Sequence, residues 1–118
     1  MKHAKLIVLA LVAAGTSLSA QEISETLAKP PRAVLHSAKA PIELEFCVAD
    51  AITQIGGAVP VPVHDGPDKT LMLGYGHTPK IVVTLIKAAD DTKIEVRTRS
   101  GDMDDKLVRH IGELCKLS

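Results

Sequence analysis

The residue types best suited to chemistry gather around one predicted hairpin: His64, Asp65, Asp68, Met72 and His77. Imidazole, carboxylate and thioether groups together ligate transition metals, and histidine suits copper, zinc or nickel. One hypothesis is therefore a metal or small-ligand site built from His64, Asp65, Met72 and His77. If the intervening strand is straight, the two histidines lie about 20 Å apart at its opposite ends. That separation argues against a shared metal unless the loops fold back, and the alternative is that these are ordinary turn residues.

Tyr75 lies between Gly74 and Gly76, which is the second feature of this hairpin. Glycines permit a close backbone approach or a bulge, so Tyr75 could be displayed as a contact residue. The alternative is that Tyr75 caps the core while the glycines end a strand. Tyr75 and Phe46 are the only aromatic residues, so stacking platforms for bases or sugars are limited to these two side chains.

Catalytic residue types are present but not in a recognised arrangement. Acyl transfer needs a nucleophile, a base and an orienting group that converge in space, and no nucleophile-elbow motif joins the hydroxyls and histidines of this chain. Glycosidase chemistry needs two carboxylates across a cleft that grips a sugar, and the chain contains no tryptophan. Cys47 and Cys115 are not a CxxC redox pair. We therefore predict no catalytic residue, no enzyme and no cofactor.

The first twenty residues predict export. Lys2 and Lys5 precede an apolar run over residues 6–14, and small residues continue to Ala20, which is the pattern of a cleavable signal peptide. The run of roughly 10 residues is far shorter than the roughly 20 that a membrane-spanning helix needs. We expect cleavage close to Gln21, no stable membrane anchor afterwards, and a periplasmic or secreted product.

An exported chain with two cysteines is most simply explained by one disulfide, between Cys47 and Cys115. A metal pair or free thiols are the alternatives. Chain-entropy reasoning values a loop of this length at about 4 kcal/mol. That is a large share of the stability of a small domain, which is about 5 to 10 kcal/mol.

Charge excludes two classes of partner. Without residues 1–20, the chain has 12 basic and 14 acidic residues and a formal net charge of −2. Nucleic-acid binding requires a basic excess or stripe that displaces counterions, so no nucleic-acid partner is expected. A polybasic patch that would attract a membrane is equally absent from the sequence.

The hydrophobic pattern predicts a single α+β domain over residues 41–118, after a polar N-terminal arm over residues 21–40. The arm could add a helical turn at 24–28 and an edge strand at 32–36. A helix at 41–55 is favoured over a strand by its length, its initial proline, its acidic first turn and the glycines that follow. Strands are predicted at 59–63, 70–75, 80–88 and 93–100, and an apolar stripe predicts a second helix at 102–115. Two prolines restrict the first of these strands to a sheet edge or exclude it from the sheet.

The expected fold is a helix, a three- to four-stranded antiparallel sheet and a helix, with both helices on one sheet face and one disulfide joining them. A corner at Asp90 and Asp91 would pair Leu85 with Val96 and Val83 with Thr98. The opposite face would then carry side chains that, with Tyr75, we predict to contact a partner: Val82, Thr84, Ile86, Arg97 and Arg99. Charged residues on a solvated strand face are also what folding alone requires.

These features lead, by elimination, to a small exported, non-enzymatic protein-binding module, for example an inhibitor or immunity-type protein. Its partner would be an envelope or secreted protein. The contact surface would be the sheet face just described or the hairpin between His64 and His77. The alternative function is a periplasmic metal or small-ligand binding protein that uses that hairpin.

Overall fold

A computed structural model describes residues 18–56, 58–76, 79–99 and 104–117. Its elements follow in this order: α1 (Leu18–Ala28), β1 (Ala33–Ser37), α2 (Pro41–Ile55), β2 (Val59–His64), β3 (Lys69–Tyr75), β4 (Pro79–Ala88), β5 (Asp91–Thr98) and α3 (Asp104–Leu114). The strands form one antiparallel sheet in the order β1-β5-β4-β3-β2. The α+β class is confirmed. The prediction of three to four strands and two helices is wrong, because the described residues contain five strands and three helices.

Helix α2 has the predicted bounds, and its sequence explains both ends. Pro41 stands in the first turn, where its missing N–H is not needed. Gly56 ends the helix with a φ of 87°, and its N–H bonds to the Thr53 carbonyl at 3.1 Å. One side of the helix is buried, through Leu44, Val48, Ala51 and Ile52.

The hydrophobic core lies between one face of the sheet and the pair α2 and α3. Alternate residues of β4 and β5 point into it, and the side chains of Leu107 and Ile111 close it from α3. The Cys47–Cys115 disulfide is present, with Cα atoms 5.1 Å apart, and it joins α2 to the residue that follows α3. The predicted disulfide is therefore confirmed. The predicted helix arrangement is incomplete, because it lacks α1, which lies against β4 and β5 on the other face.

The opposite face of the sheet is covered in part by α1, which lies against β4 and β5. Residues 21–40, predicted to be largely a polar arm, form most of α1 and the edge strand β1, which pairs with β5. The helical turn at 24–28 and the edge strand at 32–36 are therefore present, and the helix is longer than one turn. Within α1, Ile23 and Leu27 are half-buried and Thr26 is buried. Two prolines follow the helix. Three residues of this kind are too few to be recognised as an apolar stripe in the sequence. The predicted cleavage point, after Ala20, lies within α1, and residues 1–17 lie outside the described residues.

The predicted register of the β4–β5 hairpin is wrong by two residues. The corner consists of Ala89 and Asp90, with Ala88 opposite Asp91, and Leu85 pairs with Ile94. The predicted corner would have placed Ile94 opposite a lysine, so the observed register gains an apolar cross-strand pair. That gain offsets the strain at Ala89, whose φ is 47°. A shift of two residues leaves every side chain on its predicted face.

Within the described ranges, no helix is both long and apolar enough to cross a bilayer.

Candidate functional site

Exposed hydrophobic side chains mark the candidate site. Six large ones are exposed in the described part of the chain, and five of them lie on α2 or β2. These five residues, here called the α2–β2 surface, are Ile42, Phe46, Val59, Val61 and Val63. Phe46, the only phenylalanine of the chain, is 80% exposed, and Ile42 is 64% exposed. Ile42 and Phe46 lie on the side of α2 that faces the prolines of β2, whereas the three valines lie on the opposite face of that strand. Apolar side chains exposed beside a groove mark interaction surfaces.

Strand β2 ends the sheet, and five of its six residues are exposed. Its prolines face α2, and its valines, which alternate with them, face the opposite side. The Asp65 N–H bonds to the Lys69 carbonyl at 2.8 Å, and this register directs the valine N–H groups toward β3. Pro60 and Pro62 therefore stand where an N–H would point to solvent. Of the two placements that the sequence left open, at a sheet edge or outside the sheet, the strand takes the edge.

A groove with a volume of about 290 Å³ runs between α2 and β2. Four residues of α2 line it at the helical spacing i, i+3, i+4 and i+7: Ile42, Glu45, Phe46 and Ala49. The remaining lining residues are Pro60, Pro62 and the buried Met72 of β3. The groove is therefore apolar except for one carboxylate.

That carboxylate belongs to Glu45, whose side chain is only 13% exposed. Its Oε1 lies 2.9 Å from Nε2 of His64. Its Oε2 is buried and has no hydrogen-bond partner among the described residues. A buried carboxylate oxygen without a donor is costly, because desolvation is not repaid by a hydrogen bond.

The groove lies where α2 closely approaches the sheet. A Cβ atom added at Gly74 of β3 would lie 2.8 Å from Cβ of Ile81 and 3.2 Å from Cγ2 of Ile52 in α2. The β3–β4 register also shifts between Gly74 and Tyr75. Both the close approach and the irregularity that the two glycines predict are thus present, and Tyr75 is half-buried opposite Val59.

The residues of the predicted metal site have separate surroundings. His64 contacts Glu45, and Met72 is buried at the groove. The Asp65 carboxylate lies 3.8 Å from Nζ of Lys69. His77 lies outside the described residues. Within the described ranges, no three His, Cys, Asp or Glu side chains are arranged to hold a metal ion.

The predicted partner-contacting sheet face is largely covered, which corrects its assignment as an exposed surface. Val82 and Thr84 are 1% and 2% exposed, because this face packs against α1. Arg97 donates from Nε to the Lys29 carbonyl at 2.9 Å, and Arg99 lies 3.4 Å from Glu22 of α1. Ile86 is half-buried. Contacts within the chain therefore occupy much of this sheet face.

Three arginines line a second cavity of about 240 Å³, at the opposite edge of the sheet. This arginine end consists of Arg32, Arg97 and Arg99, and each guanidinium has an acidic partner. Arg32 lies 2.9 Å from Asp104, and Arg97 lies 3.2 Å from Glu95. Asp104, 8% exposed, also accepts a hydrogen bond from Thr98. The positive charge there is largely neutralised within the chain.

Two histidines form pairs with carboxylates that are geometrically suited to a general base: His64 with Glu45, and His36 with Asp91, both at 2.9 Å. Such a base acts on a hydroxyl or thiol within hydrogen-bond reach. Among the described residues, neither ring is hydrogen-bonded to such a group. Both cysteines are in the disulfide.

The sequence contains two further signals for the α2–β2 surface. Once α2 is a helix, its buried residues leave Ile42 and Phe46 on the other side. Residues 41–68 also contain five acidic residues and no lysine or arginine. These two signals together indicate an apolar, acidic surface.

Comparison of the chain with protein-family models, with curated proteins and with solved structures finds no match. The residues and their geometry therefore carry the functional interpretation.

Proposed function

We propose that this protein is an exported, non-enzymatic protein-binding module that contacts its partner through the α2–β2 surface. The observation that carries the proposal is Phe46, the only phenylalanine, 80% exposed beside an apolar groove. Full burial of a phenylalanine or isoleucine side chain contributes about 1.5 to 3 kcal/mol. A partner that covers Phe46 and Ile42 therefore gains a large favourable free energy of burial, because these side chains stay exposed when this chain folds.

Export is supported by the first twenty residues and by the disulfide. Disulfides persist in oxidising compartments, and Cys47 and Cys115 are paired. The proposed partner is accordingly an envelope or secreted protein. An inhibitor or immunity-type role suits a small domain that is stabilised by a disulfide. The α2–β2 surface replaces the β4–β5 face as the proposed contact, because α1 covers Val82 and Thr84.

The test is capture of cross-linked partners from periplasmic extract with three baits: the wild-type protein, Phe46→Ser and Val34→Ser. Val34 is the matched control, since it is the one exposed large hydrophobic residue of the described chain outside α2 and β2. We expect at least one protein that wild type and Val34→Ser recover and Phe46→Ser loses. Identical recovery by all three baits would contradict the proposal.

Self-association is measured in parallel by sedimentation velocity over a range of protein concentrations. The proposal expects a monomer, with the α2–β2 surface free for a different protein. A wild-type dimer that Phe46→Ser dissociates would instead assign this surface to a second copy of the chain and overturn the proposal.

A further inference from the structure

The groove of the α2–β2 surface is small and closed beneath, which limits what it can hold. Its volume of about 290 Å³ is at the lower limit of pockets that enclose a whole small-molecule ligand, about 300 to 1,000 Å³. Met72 forms a buried floor, and two prolines form one wall. These dimensions suit an apolar side chain presented by another protein rather than a complete cofactor.

Glu45 gives the groove a chemical preference. Oε1 of its carboxylate is already bonded to His64, whereas Oε2 is buried without a partner. The carboxylate therefore places a negative charge in the wall of an otherwise apolar groove. A cationic occupant is favoured, because its charge complements that of the carboxylate.

The charge around the groove points to the same kind of occupant. Residues 41–68, which comprise α2, β2 and the following turn, contain five acidic residues and no lysine or arginine. Asp65 is paired with Lys69 of β3, so the negative charge nearest the groove comes from α2. Glu43 and Asp50 are exposed on α2 itself. A negative surface attracts and orients a positively charged partner, and it repels an acidic one.

The edge of β2 argues against recognition by strand addition. An added strand needs alternating N–H and C=O groups along the edge. Pro60 and Pro62 supply only carbonyls there, and the first N–H of the β2 edge that points outward belongs to His64. Side chains that enter the groove are the alternative means of recognition.

We propose that the groove binds a basic, apolar segment of the partner protein. An apolar side chain of that segment lies over Met72, and an adjacent lysine or arginine lies beside the Glu45 carboxylate, whose negative charge it complements. This inference rests on the proposed protein-binding function and adds the chemistry of the partner.

Two small probes test the groove without knowledge of the partner: 2-phenylethylammonium and 3-phenylpropionate, which share a phenyl ring and differ in the sign of their charge. Each is titrated into the purified protein, and the methyl resonances of Ile42 and Met72 are followed by NMR. We expect the ammonium probe to bind with a Kd on the order of a few millimolar. The carboxylate probe should bind at least about fivefold more weakly.

Three variants identify which residues cause the preference for the ammonium probe. Glu45→Gln should reduce the ratio between the two probes to less than about twofold. Glu43→Gln removes the same charge from the exposed side of α2 and should keep the ratio. Phe46→Ser should weaken both probes, since it removes one wall of the groove.

Equal binding of the two probes, or no binding of either, would overturn the inference. So would a preference that Glu43→Gln reduces as much as Glu45→Gln does, because the preference would then come from the overall charge of α2. A partner that the capture experiment loses with Phe46→Ser but keeps with Glu45→Gln would refute only this inference. The protein-binding function would stand.

Discussion

The arginine end and the α2–β2 surface lie at opposite edges of one sheet, and they differ in how completely the chain satisfies its own groups. At the arginine end, all three guanidinium groups have a carboxylate within 3.4 Å. At the α2–β2 surface, Ile42 and Phe46 are exposed at the groove and three valines on the opposite face of β2, and one buried carboxylate oxygen has no donor among the described residues. Folding alone accounts for the first edge. The second edge leaves these groups without partners in the described part of the chain, and the proposed binding function rests on that difference.

The largest expected effect comes from the disulfide, which links α2 at one edge to the end of α3. Replacing Cys47 and Cys115 by alanine should lower the free energy of unfolding by about 4 kcal/mol, because the bond closes a loop of 68 residues. Urea denaturation of the wild type and of the double variant measures the loss. Reductant should reproduce it in the wild type and have no effect on the variant. A wild-type midpoint that reductant leaves unchanged would contradict the assigned role.

The next largest effect is at Gly74, beneath the groove. Gly74→Ala should lower the free energy of unfolding by about 2 kcal/mol, because its methyl group would meet Ile81 and Ile52. Gly112→Ala is the matched control in α3, where nothing lies within 4 Å of the added atom. That change should raise the free energy of unfolding by about 0.5 kcal/mol. Equal effects in thermal melts would show that α2 does not approach β3 as described.

A pair of isosteric changes compares the two edges directly. Asp104→Asn should lower the free energy of unfolding by about 1.5 kcal/mol, since Asp104 contacts both Arg32 and Thr98 near the N-terminus of α3. Glu45→Gln should leave it unchanged or raise it by up to about 1 kcal/mol, because it removes a buried charge with an unpartnered oxygen. Chemical denaturation at pH 7 measures both. A larger loss for Glu45→Gln than for Asp104→Asn would reverse the comparison.

The smallest expected effect on stability is at Phe46. Its side chain is mostly exposed, so Phe46→Ser should change the free energy of unfolding by less than about 0.5 kcal/mol. Differential scanning calorimetry measures this change. A large destabilisation would mean that Phe46 serves the fold, and the variant could not then serve as the binding test.

Much of the fold follows from local pattern. The bounds of α2, the strands β2 to β5, the apolar stripe of α3 and the disulfide can be predicted, because each depends on periodicity, capping residues or cysteine count. The corner of the β4–β5 hairpin cannot, since it depends on the balance between strain at Ala89 and the pairing of Leu85 with Ile94. The position of α1 against the sheet cannot be predicted from local pattern either. Its few apolar residues cover strands that lie far away in the sequence.

The candidate site divides in the same way. The sequence by itself determines that residues 41–68 are acidic and apolar, that two prolines interrupt the donors of one strand, and that Phe46 falls opposite the buried side of its helix. Only the tertiary structure decides that these features meet at one open groove, while α1 covers the face that appeared exposed. The physical reason is that periodicity shows which side of an element is apolar, whereas burial depends on what packs against that side.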